Sequence, residues 1–266
     1  AMRYLKKEFM DLVKFCTDKA KKEKMLSYLY DEDRWSSGAA GGYVTKNKRF
    51  RERYLVITQN KTEHFSAQEA ISEAKPYLLA TFDIVLNAGG ELESYRRISE
   101  EDAPKGKKWY FYVVAAKEDP WFNNQTYLDT LNKEAVDEFV KITGTAYKDA
   151  VGSEFGKTVP SIFTDEPHFA AKVPLGFADS NENAELPWSF GIEKTFEERH
   201  GYDIIEQLPE VIWNLPGGEA SYARYDYHDH VCETFAENFA DNYGKWCKWS
   251  PPTATRSSGR LHYVLG

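Results

Sequence analysis

The sequence predicts an α/β fold: a partial or truncated (β/α)8 TIM-type barrel, or an open α/β sheet, carrying an antiparallel β insertion. Three observations predict it. Twice, apolar residues at helical spacing lead into a short apolar run that stops at a pair or trio of acids, at Asp31 to Asp33 and at Asp165 and Glu166. A third run, Trp109 to Ala116, stands between them in strand, loop, helix, strand order, which calls for parallel strands with right-handed crossovers. The stretch 46–107 reads differently, as alternating strands around a glycine turn.

Taken in order, residues 3–24 place Leu5, Phe9, Leu12, Val13, Cys16 and Ala20 on one helical face, and Met25 to Tyr30 form the strand after it. Within the insertion, Tyr54 to Thr58, Tyr77 to Leu86 and Glu91 to Ile98 are strands, with Ala88, Gly89 and Gly90 as a hairpin turn. Lys46, Lys48, Arg49, Arg51 and Arg53 read as a charged edge that blocks strand addition. The next helix, Lys133 to Val151, carries Ala135, Val136, Phe139, Val140, Ile142 and Tyr147 on one side, and Thr158 to Thr164 form the strand after it. Ser189 to His200 is a helix stopped by Gly201, and Ala220 to Lys248 a long helix with aromatic residues on several faces. One of those faces would bury against the sheet and another would offer itself to a second copy of the chain, making a homo-oligomer. The composition breaks at Ser250, so residues 1–249 read as one barrel-like domain fragment and 250–266 as an unrelated extended tail. What remains after the insertion and tail falls short of the ~250 residues of a complete barrel.

Composition excludes several functions. With 34 Lys and Arg against 42 Asp and Glu in 266 residues, the net charge of −8 disfavours nucleic acid as the partner. The longest apolar run is far short of the ~20 residues that cross a bilayer, so no membrane association is expected. Ala1 before Met2 resembles a cloning scar, which leaves open whether a leader was removed and whether the compartment is bacterial cytoplasm or periplasm. The three cysteines, Cys16, Cys232 and Cys247, have no metal-ligand spacing and read as buried small hydrophobes. Within one helix, Cys232 and Cys247 would stand roughly 22 Å apart, too far to bridge.

Two segments could carry chemistry. In Thr164-Asp165-Glu166-Pro167-His168 the acids follow directly on an apolar strand, and a carboxyl held between apolar walls at a strand mouth suits general acid work. An ordinary acidic turn reads the same residues equally well. In Tyr30 to Gly42 (YDEDRWSSGAAGG), three acids, an Arg and a Trp suit a polyol, because carboxylates accept sugar hydroxyl protons and an indole stacks on a pyranose face. A solvated loop with Arg34 paired to an acid is the alternative. The glycines there have neither the P-loop Lys nor a dinucleotide register. Ser36 and Ser37 lack a nucleophile elbow, and His228 and His230 face different sides of one helix, which disfavours a shared metal.

YDEDRWSSGAAGG, Trp121-Phe122 through Tyr127 to Asn132 (YLDTLN), IFTDEPHF (Ile162 to Phe169) and RHGYDI (Arg199 to Ile204) resemble motifs of α-L-rhamnosidase-like, clan-A-like glycoside hydrolases of plant-polysaccharide-degrading gut and soil bacteria. The resemblance spans roughly residues 3–249 and implies a (β/α)8 catalytic domain acting on plant or host glycans. It implies Glu166 as catalytic acid or acid/base with Asp165 beside it. It also implies Asp31, Glu32, Asp33, Trp35, His168, Trp121 and Asn132 around the sugar, and calcium as the ion some members hold. The partner carboxyl that a glycosidase needs is left among Asp31, Glu32, Asp33 and Glu118. Two rivals stand beside this reading: a carbohydrate-binding protein without turnover, and a metal-dependent hydrolase using Asp31, Asp33 and Asp165 as oxygen ligands for magnesium or calcium.

Overall fold

The computed structural model describes residues 3–249 and 262–265. In chain order, helix α1 spans Lys7–Lys22 and strand β1 Leu29–Tyr30. Strand β2 (Arg53–Thr58), helix α2 (Ala67–Glu73) and strands β3 (Tyr77–Leu86), β4 (Leu92–Ile98) and β5 (Lys107–Ala115) follow. Helix α3 (Lys133–Val151) and strands β6 (Ser161–Thr164) and β7 (Ala184–Pro187) lead to helices α4 (Ile192–His200), α5 (Ile204–Ile212) and α6 (Tyr222–Phe235). A π-helical stretch, Ala236–Asp241, joins α6 to helix α7 (Asn242–Trp249), and strand β8 spans His262–Leu265. These elements form two compact units. One comprises the chain up to Phe50, Lys117–His168 and the chain from Phe235; the other comprises Arg51–Ala116 and Phe169–Thr234.

The first unit holds a parallel sheet of order β1-β6-β8. Leu29 pairs with Ile162 and Tyr30 with Phe163, so the chain leaves both strands at the same end and Asp31 and Asp165 emerge side by side. Its core gathers Leu29 and Ile162 with one face of α3 (Ala135, Val136, Phe139, Val140, Tyr147) and with Phe239, Tyr243 and Cys247. Asn132 caps α3, its side chain accepting from the Glu134 amide at 3.0 Å. Helix α1 packs on α3. Its three i,i+4 ion pairs, Lys7–Asp11, Lys14–Asp18 and Lys19–Glu23, are exposed and screened by solvent, so the packing of Phe9, Met10 and Val13 stabilises it more.

The second unit is built on an antiparallel sheet of order β4-β3-β5-β2-β7. The hairpin between β3 and β4 turns where expected: the Asn87 side-chain oxygen accepts from the Gly89 and Glu91 amides, and Gly90 takes φ +78°. Ser66 and Glu69 form a capping box on α2, and Gly201 ends α4 at φ +80°.

Several expectations are corrected. Trp109 to Ala116 does not join the parallel sheet; as β5 it pairs antiparallel with β2 and β3, and Glu118 therefore does not end a parallel strand. The cause is burial on both faces, with Trp109, Phe111, Tyr112 and Val113 all about 1% exposed or less, which makes a central antiparallel strand read as continuously apolar. Of the basic stretch, Lys46, Lys48, Arg49 and Arg51 precede β2, and Arg53, which opens it, is on no edge because β2 lies between β5 and β7. Arg53 is buried and donates to the carbonyls of Arg51, Ala70 and Ile71, the last two within α2. Cys16 and Cys232 are exposed, and of the three cysteines Cys247 alone is buried. From the expected tail, His262 to Leu265 pair in parallel with Ser161 to Thr164, while 250–261 lie outside the described residues. Among the described residues the two sheets close no barrel.

Candidate functional site

The register of β1 and β6 brings the two acid-bearing segments together. Glu166 stands two residues beyond β6 with φ +41°, a left-handed conformation that a glutamate rarely adopts, and its side chain reaches solvent. Its Oε2 accepts from Trp35 Nε1 at 3.1 Å. Trp35 is 52% exposed and joined to Ser36 by a cis peptide bond. The Trp121 indole N–H donates to the Trp35 carbonyl, and Trp121 is itself 49% exposed. Arg34 Nη1 donates to the Trp121 carbonyl at 3.0 Å while its guanidinium lies 5.7 Å from the Trp121 ring centroid. One carboxylate and two open indole faces thus share a corner of the first unit.

The acids of the loop after β1 divide by role. Asp31 is fully buried and accepts from Ser37 Oγ at 2.6 Å. Burial pushes its pKa up to about 6, although the hydroxyls of Ser37, Thr164 and Tyr243 favour the charged form. Glu32 is buried as well, and its two oxygens accept from the amides of Asp33 (2.9 Å), Gly38 (3.3 Å), Ala40 (2.5 Å) and Gly41 (2.6 Å). Burial still pushes it up to about 8. The loop therefore folds around the Glu32 carboxyl, with Ala40 at φ +49° and Gly41 at φ +63° turning their amides inward. Asp31 and Glu32, expected around the sugar, are both turned into the protein. Asp33 does face outward, 3.5 Å from Arg34 Nε and 3.4 Å from Asn123 Nδ2, in a cleft of about 560 Å³ that Arg3, Tyr43 and Lys46 also line.

The strand-mouth segment after Thr164 is held at several points. Asp165 exchanges two bonds with Ser37, its N–H to Ser37 Oγ and its carbonyl from Ser37 N–H, both 2.9 Å. His168 Nδ1 lies 3.1 Å from Ser36 Oγ, and its ring stacks on Tyr127 with centroids 4.0 Å apart and planes 11° apart. Withdrawal from water lowers the His168 pKa. Tyr127 OH donates to the Ser37 carbonyl at 2.6 Å and accepts the His168 N–H at 3.3 Å. Asn132, expected beside the sugar, is spent on capping α3 and on the Arg49 carbonyl.

Sequence reasoning gives Ser36, Ser37 and Tyr127 no role of their own at this corner, yet they hold Asp165 and His168 there. The signal for Ser36 and Ser37 is their position directly after an exposed Trp, opposite the Asp-Glu-Pro turn once β1 and β6 pair. Calcium does not fit the residues present: Asp31 is engaged by Ser37, Glu32 by four amides and Glu166 by Trp35. Among the described residues no group of three or more His, Cys, Asp or Glu side chains converges to hold an ion.

No family model matches the chain, and no curated protein matches it. A solved structure of a rhamnosidase from Novosphingobium sp. PP1Y aligns with 68% of this chain and 16% of that one, at 20% identity and a TM-score of 0.39.

Proposed function

We propose that the chain carries the acid side of a glycoside hydrolase site, with Glu166 protonating the glycosidic oxygen as the sugar bond breaks. The reading rests on one observation above the others, the exposed Glu166 held in a left-handed conformation at a parallel strand mouth and fastened to the half-exposed Trp35. Trp35 and Trp121 supply flat apolar faces of the kind that stack on a pyranose, and Arg34 and Asp33 supply charged hydrogen-bonding groups for its hydroxyls. With Asp31 and Glu32 turned inward, Asp33 and Glu118 remain as partners to activate water or to form the glycosyl intermediate, and Asp33 faces the cleft. The three-stranded parallel sheet would then be a portion of a (β/α)8 barrel, and the substrate a plant or host glycan. The test is a panel of oligosaccharides and aryl glycosides assayed with the wild-type chain and with Glu166→Gln. Hydrolysis that the substitution abolishes supports the reading, and hydrolysis that it leaves unchanged overturns it.

A second reading is favoured by the burial of Asp31 and Glu32, which removes two candidates for the second carboxyl. In that reading the same corner binds a glycan without cleaving it. Binding to a glycan array that Trp35→Ala or Trp121→Ala weakens, with no turnover on any array member, would select it.

A further inference from the structure

Ser37 is fully buried, yet its backbone and hydroxyl bond to Asp31, Asp165 and Tyr127 at once. Its N–H donates to the Asp165 carbonyl and its Oγ accepts from the Asp165 N–H, each at 2.9 Å, so both polar groups of that one peptide residue are gripped by one serine. The Ser37 hydroxyl proton goes to Asp31 Oδ1 at 2.6 Å. A hydroxyl has one proton; once Asp31 takes it, the remaining lone pairs can only accept, and Oγ is fixed as the acceptor that the Asp165 amide needs. The Ser37 carbonyl in turn accepts from Tyr127 OH, whose oxygen accepts the His168 amide. The backbone is thus tied at Asp165 and at His168, on either side of Glu166.

We infer that Ser37 is the positioning residue of the site: clamped between Asp31 and the Asp165 backbone, it holds Glu166 in its left-handed conformation with the carboxylate on Trp35. The inference rests on the reading of Glu166 as the working acid. It adds that the acid's placement is set by a buried serine on the neighbouring strand's loop rather than by the bond from Trp35 to the Glu166 carboxylate alone. Placement within about half an ångström decides how well an acid serves its leaving group, so losing the clamp affects turnover more than binding.

The experiment follows the Trp35 indole N–H resonance of the full chain by proton–nitrogen correlation, assigned through its loss in Trp35→Phe. Glu166→Gln is expected to shift this resonance in the wild-type background. In Ser37→Ala the resonance is expected to move already, and adding Glu166→Gln then changes it little, because the indole and residue 166 are no longer held together. A serine that only stabilised the fold would lower the melting temperature and leave the Trp35 response to Glu166→Gln as in wild type, and that result overturns the inference. On any glycoside the chain hydrolyses, Ser37→Ala should lower kcat about 10- to 100-fold with KM within about twofold. If Ser37→Ala does not fold, hydrogen exchange in the unaltered chain decides: an Asp165 amide protected about 100-fold or more supports the clamp, and one exchanging at the unprotected rate overturns it. Loss of the Glu166 effect on hydrolysis with the spectral coupling intact would strike the glycosidase reading alone; loss of the spectral coupling with that effect intact would strike the clamp alone.

Discussion

Trp35 Nε1 donates to Glu166 Oε2 across 3.1 Å, and because an indole nitrogen can only donate, this bond settles which oxygen of the carboxyl is free. Oε2 faces the indole and Oε1 is turned away from it. The side chain is therefore held one way round by Trp35.

Glu166→Gln should accordingly lower turnover by at least ~100-fold on glycosides with poor leaving groups, since general acid catalysis contributes typically 10²- to 10⁴-fold. Activated aryl glycosides need little protonation and should lose less. The check is kcat on a matched pair of substrates; equal losses on both would assign the carboxylate to binding instead.

Glu32 is expected to matter for folding rather than turnover. Four backbone amides converge on it, and truncation to Ala leaves them without their acceptor, at a cost of about 3 kcal/mol or more given about 1–3 kcal/mol per unsatisfied buried group. Denaturant midpoints of Glu32→Ala against wild type measure it. Since the same loop carries Trp35, the indole emission should shift as well. A midpoint unchanged within error would mean that water replaces the carboxyl freely.

Gly144 sits in α3, where alanine is normally favoured by about 1 kcal/mol. Here a Cβ would meet the Trp246 indole at 2.5 and 2.6 Å, and that ring is stacked on Tyr243 and set edge-on to Phe155. Overpacking of this kind costs about 1–3 kcal/mol, so the clash should outweigh the propensity and Gly144→Ala should lower the melting temperature. A rise would show that Trp246 moves aside cheaply.

What the sequence made legible follows from which patterns are local. Helix α3 is legible because its apolar period is written in neighbouring positions, and the hairpin at Gly90 because its turn chemistry is local too, whereas the Asn132 cap goes unread. The pairing partner of Trp109 to Ala116 was not legible: a strand buried on both faces carries the same apolar run whether its neighbours are parallel or antiparallel. At the site, residue type points to the acids after β6 and to Trp35, and only the resemblance singles out Glu166. That Asp31 and Glu32 face inward while Asp33 faces outward could not, since it depends on how the loop's glycines and Ala40 turn their amides, which no spacing rule reports. Ser37 escaped for a related reason, its role arising only from the register of β1 against β6.

The buried carboxyls also predict how stability depends on pH. Asp31 is raised from 3.8 to about 6 and Glu32 from 4.5 to about 8, both chiefly by burial. Between the unfolded and folded values the folded chain binds more protons than the unfolded one, so these groups make stability fall as pH rises, through about 4 to 6 for Asp31. Their contribution is fully present below the unfolded values and gone above the folded ones. His168 and His228, both lowered by burial, work the other way, adding stability as pH rises through the ordinary histidine range near ~6.5. The carboxyl effect is therefore read by difference, from urea midpoints of wild type and of Asp31→Asn between pH 5 and 8. Asparagine keeps the acceptor for Ser37 and does not titrate, so the variant should gain relative to wild type as pH rises from 5 to 7 and run parallel to it from 7 to 8. A constant difference across the whole range would mean that Asp31 carries the same charge in the folded and unfolded chain, and that the cost of its burial is met by Ser37, Thr164 and Tyr243.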